Sequence, residues 1–339
     1  MNTLLRKGGL QMTNPSRKNI KNTSIRPAET DTPDAAGERV LFTWHGCAHY
    51  HIQYRGKRIV LDPLYHRPAG ATPHLPASRQ DAGRIDYLLL THAHLDHSWD
   101  FPYLASRHQP QAYGPAHYLA HIQKKAKRWG MNFNPTKLHG LEGAKGQRFF
   151  IDDIEVTPYQ IGTEKIDFWF IRTTCIRPFR HLAFSAVPAG HKFLMYHLKD
   201  NCFGYHFRFH ASGKTMFYIG NLTDQVDDVA LVNRVNVLAL PFCPANKNWL
   251  DHTRFLIGRF SPDVVLVHHY DNFWHPYTHP RYRDLNAYQQ AVREAFPHLA
   301  IRFSKFMEAV DLEQLAAAEG TSESHHMSTL DALSIRKSA

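Results

Sequence analysis

The chain predicts a layered α/β body, two sheets with helices on their outer faces. Three observations lead there. Short β-rich runs separated by glycine or charged turns open the body. Later runs alternate with helical segments. The 339 residues are 43% hydrophobic and 12% aromatic, which suits a buried core and excludes a disordered chain. Strands are expected at 40–44, 50–54 and 58–61, the last stopped abruptly by Asp62-Pro63. A buried strand at 85–90 runs straight into Thr91-His92. Helices are expected at 100–107, with Asp100 as N-cap and Pro102 in the first turn, and at 115–128, closed by Gly130. Strand signals return at 148–151, 154–161, 203–209, 215–219 and 235–240. A helix at 249–257, a strand at 264–267, a helix at 285–295 and a strand at 301–303 complete the body.

Three regions follow from composition. Residues 1–36 are polar, basic and without periodicity, and read as a flexible arm; 37–318 form one domain; 319–339 read as a small, polar tail. Lysine and arginine number 40 against 30 acidic residues, a net charge of +10, and the surplus lies mostly in the body. No run of about 18 apolar residues exists, which argues against a membrane-spanning helix. The N-terminus lacks an apolar signal region, so a cytoplasmic location is expected. Four cysteines (Cys47, Cys175, Cys202, Cys243) are far apart and read as reduced, mostly buried thiols.

Histidine is the compositional anomaly. There are 25, more than the 19 glycines or 20 prolines, and all but His325 and His326 fall in the body. The densest segment is Thr91-His92-Ala93-His94-Leu95-Asp96-His97, directly after an apolar strand. Residues two apart on an extended segment share a face, so His92 and His94 can hold one ion. A bend after them turns Asp96 and His97 toward a second. Loops at the carboxyl ends of strands are where α/β sheets commonly bind ligands.

This HxHxDH segment resembles the signature of the metallo-β-lactamase superfamily of metallohydrolases. Further segments resemble its branch holding L-ascorbate-6-phosphate lactonase and N-acyl-phosphatidylethanolamine phospholipase D. They are Trp44-His45-Gly46 with Lys57-Arg58-Ile59-Val60-Leu61-Asp62-Pro63, then Val187-Pro188-Ala189-Gly190-His191, then Val267-His268-His269-Tyr270-Asp271-Asn272-Phe273. The similarity spans about residues 38–310. It implies an αββα sandwich with two divalent ions at one edge, zinc first, manganese or iron as alternatives. It implies His92, His94 and His191 on one ion and Asp96, His97 and His269 on the other, with His268 as the competitor to His269. Asp62 would orient a ligand imidazole or merely cap its turn.

One departure stands out. Where the family carries Gly-Asp, with the aspartate bridging both ions, this chain has Gly220-Asn221. Either Asp224 reaches the site instead, or the bridge is missing and the second ion is held weakly. The implied chemistry is hydrolysis by a metal-bound hydroxide, with Asp96 and Asn221 as catalytic candidates. Basic and aromatic groups suggest an anionic small-molecule substrate: phosphorylated, phosphodiester or lactone. They include Lys124, Lys125, Lys127, Arg128, Arg172, Arg177, Arg180, Phe273, Trp274, His275 and Tyr277. His275 is a candidate substrate-facing group, and residues 165–184 a candidate lid. Two other readings are a nuclease on single-stranded nucleic acid and a non-catalytic binding protein with a degenerate metal site.

Overall fold

The computed structural model describes residues 39–142, 147–162, 201–226, 232–242, 248–273 and 285–316. The basic arm at 1–36, the tail at 319–339 and the candidate lid at 165–184 lie outside the described residues.

The first sheet collects β1 (Leu41–Trp44), β2 (Tyr50–Tyr54), β3 (Lys57–Leu61), β4 (Tyr87–Leu89), β5 (Gln111–Pro115) and β6 (Leu138–Leu141). The second collects β7 (Phe149–Ile151), β8 (Ile154–Ile161), β9 (Cys202–Phe209), β10 (Thr215–Ile219), β11 (Val237–Pro241), β12 (Val264–His268) and β13 (Ala300–Phe303). The last strand, β14 (Ala309–Asp311), returns to the first sheet and pairs with β1. The sheet orders are β14-β1-β2-β3-β4-β5-β6 and β13-β12-β11-β10-β9-β8-β7. In those orders the first sheet is antiparallel over its first three pairings and parallel over the next three, and the second sheet is parallel over its first three and antiparallel over the next three. As a result β1, β3 and β4 run one way in the first sheet, and β10, β11 and β12 share a direction in the second.

Helices α1 (Leu95–Ser98), α2 (Phe101–His108) and α3 (Ala116–Trp129) follow strands of the first sheet. Helices α4 (Trp249–Phe260) and α5 (Leu285–Ala295) follow strands of the second, and α6 (Leu312–Ala316) follows β14. The period-two alternation of strands sorts residues between layers. In β4 and just beyond it, Leu89 faces the second sheet while Leu88 and Leu90 face Phe101, Leu104, Tyr118 and Ile122 of α2 and α3. In β10, Met216 and Tyr218 face the first sheet, and Phe217 and Ile219 meet Leu256, Phe260, Tyr288 and Val292 of α4 and α5. This is the expected αββα sandwich. Burying each large apolar side chain stabilises it by roughly 1.5–3 kcal/mol, and the central layer joins both sheets in one such core.

Strands β5, β6 and β14 and helices α1 and α6 were not among the expected elements. Asp100 does occupy the N-cap of α2, but its side chain makes no capping bond. Its buried carboxylate instead accepts the backbone N–H groups of Tyr65 and His66, each at 2.7 Å, which ties the turn after β3 to α2. The expected closure of α3 at Gly130 is present, with φ 65°.

Candidate metal centre

Turns at the carboxyl ends of several strands supply this centre. Asp62 follows β3, the HxHxDH segment follows β4, Asn221 follows β10 and His269 follows β12. Asp62 organises the group. Its backbone sits at φ 44° and its N–H donates to Leu89 O. Its fully buried carboxylate accepts the Thr91 N–H and hydroxyl, both at 2.7 Å, the Tyr218 hydroxyl at 3.0 Å and His97 Nδ1 at 2.9 Å. A Cβ at Gly220 would stand 2.4 Å from Thr91 Oγ1 and 2.8 Å from Asp62 Oδ2, so glycine is required there.

These bonds fix two imidazole tautomers. A carboxylate only accepts, so His97 Nδ1 carries its hydrogen toward Asp62 and Nε2 faces the other way. The Thr91 hydroxyl gives its one proton to Asp62, so its oxygen accepts from His92 Nδ1, 2.9 Å away. His92 Nε2 is therefore a bare lone pair, and it is buried with no hydrogen-bond partner. An uncompensated buried acceptor is costly unless something occupies it. His94, extended at φ −60° and ψ 146°, precedes α1, which then carries Asp96 and His97. The His92 ring lies 4.4 Å from that of His94 and 4.1 Å from that of His97. Asp96 Oδ2 stands 3.2 Å from His269 Nε2 and 3.6 Å from His97 Nε2. Imidazole nitrogens and a carboxylate oxygen converging in this way fit a divalent cation.

The local field agrees. Burial alone would raise the Asp96 carboxyl, but His97 and the hydrogen-bonded His269 hold it well below the usual carboxylate range. Burial pulls the His97 imidazole down, yet Asp96 and Asp62 outweigh it and raise its pKa. Positive charge is thus favoured at this point. His92 is pushed well below its ordinary value, by burial first and then by His97, which keeps it in the neutral form a ligand needs.

Comparison with known proteins points the same way. The metallo-β-lactamase superfamily model matches residues 42–192. Over that segment the chain is similar to the metallo-β-lactamase superfamily. A UPF0173 metal-dependent hydrolase from Bacillus pumilus is 23% identical over 234 residues, covering 68% of this chain and 86% of that protein. Among solved structures, Igni18, a metallo hydrolase from Ignicoccus hospitalis, superimposes with a TM-score of 0.53 at 17% identity, over 80% of this chain and 98% of its own. CmlA, a diiron β-hydroxylase from Streptomyces venezuelae, gives 0.52 at 16% identity, over 83% and 55%. At these identities both structures speak to the fold alone.

Within this superfamily fold, the other site candidates divide. His191 and His275 lie outside the described residues. His268, the competitor to His269, is a core residue. It ends β12 fully buried, donates Nε2–H to Ile219 O at 3.1 Å and stacks on Tyr218. The next residue, His269, adopts φ 63°, and that left-handed step brings its ring beside His97. Asn221 is buried, and its amide donates to Gly162 O at 3.5 Å. Asp224, one of the two ways to account for the missing bridging carboxylate, does not turn inward. Leu222 and Thr223 take the buried positions of the turn, and Asp224 is left exposed, 3.6 Å from His252 on α4. Solvation holds a carboxylate there more cheaply than an apolar turn would. Lys124, Lys127 and Arg128 are exposed along the C-terminal half of α3, a solvated face that suits the helix dipole.

Two arrangements emerge only in the structure, although sequence reading offers His45, His49 and His51 singly as groups that support ligands or face substrate. The first is a second histidine group. His45, His49 and His51 are buried together on and beside the turn joining β1 to β2. The rings of His45 and His51 are 3.8 Å apart, His49 Nε2 is 3.1 Å from His51 Nε2, and the Tyr65 hydroxyl is 2.9 Å from His51 Nε2. Burial, with Arg58 and Arg67 adding to it, pushes His45 down to about 3. His49 and His51 also fall well below their ordinary value, again through burial first. The second is Cys47, on the same turn. Its Sγ lies 3.5 Å from Asp96 O and 4.0 Å from Asp96 Oδ2. The only hint in the sequence was a cysteine two residues after His45, which follows no ligand-spacing rule.

Proposed function

We propose that this chain is a metal-dependent hydrolase. The observation that carries the reading is the pair of oriented imidazoles: Asp62 fixes His97 through Nδ1, Thr91 fixes His92 through Nδ1, and both Nε2 atoms are left for a cation beside Asp96 and His269. His92, His94, Asp96, His97 and His269 would hold metal, with His191 as a further ligand by resemblance. Bound divalent metal supplies Lewis acidity and a nucleophile from water at neutral pH. The chain's own part is to orient the ligands, keep His92 neutral and place negative charge at Asp96 and Asp62. Asn221 would contribute a hydrogen-bonding amide at the same end of β10, where its position gives no charge.

The substrate class proposed is anionic, a phosphorylated compound, phosphodiester or lactone. The lactonase and phospholipase branch is the part of the superfamily favoured by the turn at Asp62-Pro63 and by His269 with Tyr270 and Phe273. Metal content of the purified protein and a phosphodiester and lactone panel test the reading. About two divalent ions per chain are expected, with turnover abolished in His94→Ala while the fold persists. Turnover that is indifferent to His94→Ala overturns it. Metal bound without turnover on any substrate of the panel would favour the non-catalytic reading.

A further inference from the structure

Two divalent ions, if bound as proposed above, would bring four positive charges to a centre whose described ligands include one carboxylate, Asp96. Asp62 is engaged on the outer nitrogen of His97, Asn221 is neutral, and Asp224 is at the surface. A further donor able to bind as an anion would relieve this, and the turn after β1 presents a thiol.

We propose that Cys47 is a metal ligand of this centre, binding through its thiolate beside Asp96 and His269; the inference rests on the metal-dependent reading above. The donor atoms of Cys47, Asp96 and His269 all lie within 4.8 Å of one another. The His269–Asp96 separation is close to that of two donors on one ion, and the thiol needs to approach by only about 0.4 Å. Donors at about 2.0–2.3 Å on a tetrahedral cation stand roughly 3.3–3.6 Å apart. His269 Nε2 to Asp96 Oδ2 is 3.2 Å, and Cys47 Sγ to Asp96 Oδ2 is 4.0 Å.

The backbone is committed to this placement. Cys47 stands at φ 50°, a left-handed conformation that a residue with a Cβ seldom adopts. Three hydrogen bonds hold it there. Cys47 N–H donates to Asp271 Oδ1 at 2.8 Å, and Cys47 O accepts from Trp44 Nε1 at 2.8 Å and from the His269 N–H at 3.0 Å. The last of these ties the cysteine directly to a proposed ligand. A second observation in the adjoining part of the centre, the buried and unpartnered Nε2 of His92, whose ring lies 4.1 Å from that of His97, independently points to a cation. Coordination breaks the S–H bond: the sulfur binds the ion as thiolate and one proton leaves to solvent.

Cobalt(II) chloride added to the full chain provides the test. A near-ultraviolet thiolate-to-cobalt band is expected in the parent protein and in Cys175→Ser, Cys202→Ala and Cys243→Ser, and its loss in Cys47→Ser. X-ray absorption of the zinc-loaded parent protein is expected to show one sulfur at about 2.3 Å, a measurement that needs no variant to fold. Bound metal with only nitrogen and oxygen neighbours overturns the assignment of Cys47 and leaves the hydrolase reading standing. A band that persists undiminished in Cys47→Ser also overturns it. Failure of the parent protein to bind cobalt or zinc overturns both.

Discussion

Two buried histidine groups lie on either side of one turn, and their neighbours make them opposites. The group around His92, His97 and His269 has Asp96 and Asp62 against its ring nitrogens, and the pKa of His97 is raised. The group of His45, His49 and His51 has Arg58 and Arg67 in its field, and all three pKa values are lowered. Its nearby carboxylate, Asp271, is already paired with buried Arg67 at 3.0 Å. Clustered neutral imidazoles are common to both groups, since His92 is lowered as well; what separates them is the sign of the surrounding charge. The second group is neutral, packed against cations and placed on the β1–β2 turn. Arg67 donates to His45 O at 2.7 Å, and a Cβ on Gly46 would sit 2.1 Å from its Nη2, so the guanidinium lies directly against the turn's backbone.

The contrast is broken most severely at Asp62. Asp62→Asn removes charge and frees His97, and should lower metal affinity by about 10–100-fold, read by competition with a chelating dye. Unchanged affinity would mean that the carboxylates do not separate the two groups. Acid should act next, through the other group. Imidazoles whose folded pKa lies below the unfolded value contribute stability that is fully present above pH about 6.5 and is lost as pH falls toward the folded value, near 3 for His45. Each such histidine accounts for up to about 1.4 kcal/mol per pH unit in that window. Denaturant melts between pH 6 and 4 should show this slope, and His51→Gln should flatten it while metal content stays the same. Loss of an ion in His51→Gln would make the second group a metal site after all.

Smaller effects sharpen the picture. Tyr65→Phe deletes the hydroxyl bonded to His51 and should cost about 1 kcal/mol in the same melts, with cobalt spectra unchanged. Asp224→Ala is expected to change stability by no more than about 0.5 kcal/mol and to leave turnover unaltered, since its carboxylate faces solvent and His252. A large loss of turnover there would put Asp224 back in the centre.

Much of the fold was legible because its strands alternate cleanly. The 154–161 and 215–219 runs and the 285–295 helix match β8, β10 and α5 residue for residue. Strands β5 and β6, Gln-Ala-Tyr-Gly-Pro and Leu-His-Gly-Leu, carry little β-branched character and become strands through their parallel neighbours. That information is not local to either segment. The HxHxDH segment was legible because its ligands are adjacent in the chain. Asp62 could be nominated but its partners could not, since Thr91 and His97 reach it from the exit of β4 and Tyr218 from β10 in the other sheet. Asp224 misled because three residues of separation do not say which way a turn faces. Cys47 was invisible for the same reason: its meaning comes from Asp96 and His269, 49 and 222 positions away.

The centre hangs on turns that leave strand ends, while the strands themselves are locked in the layers behind them. Selection can therefore exchange a donor such as Asn221 or Cys47 without repacking either sheet. A chain built this way is free to drift in metal appetite and in chemistry while its melting temperature barely moves, and variants that differ at those turns make a ready library for redirecting it.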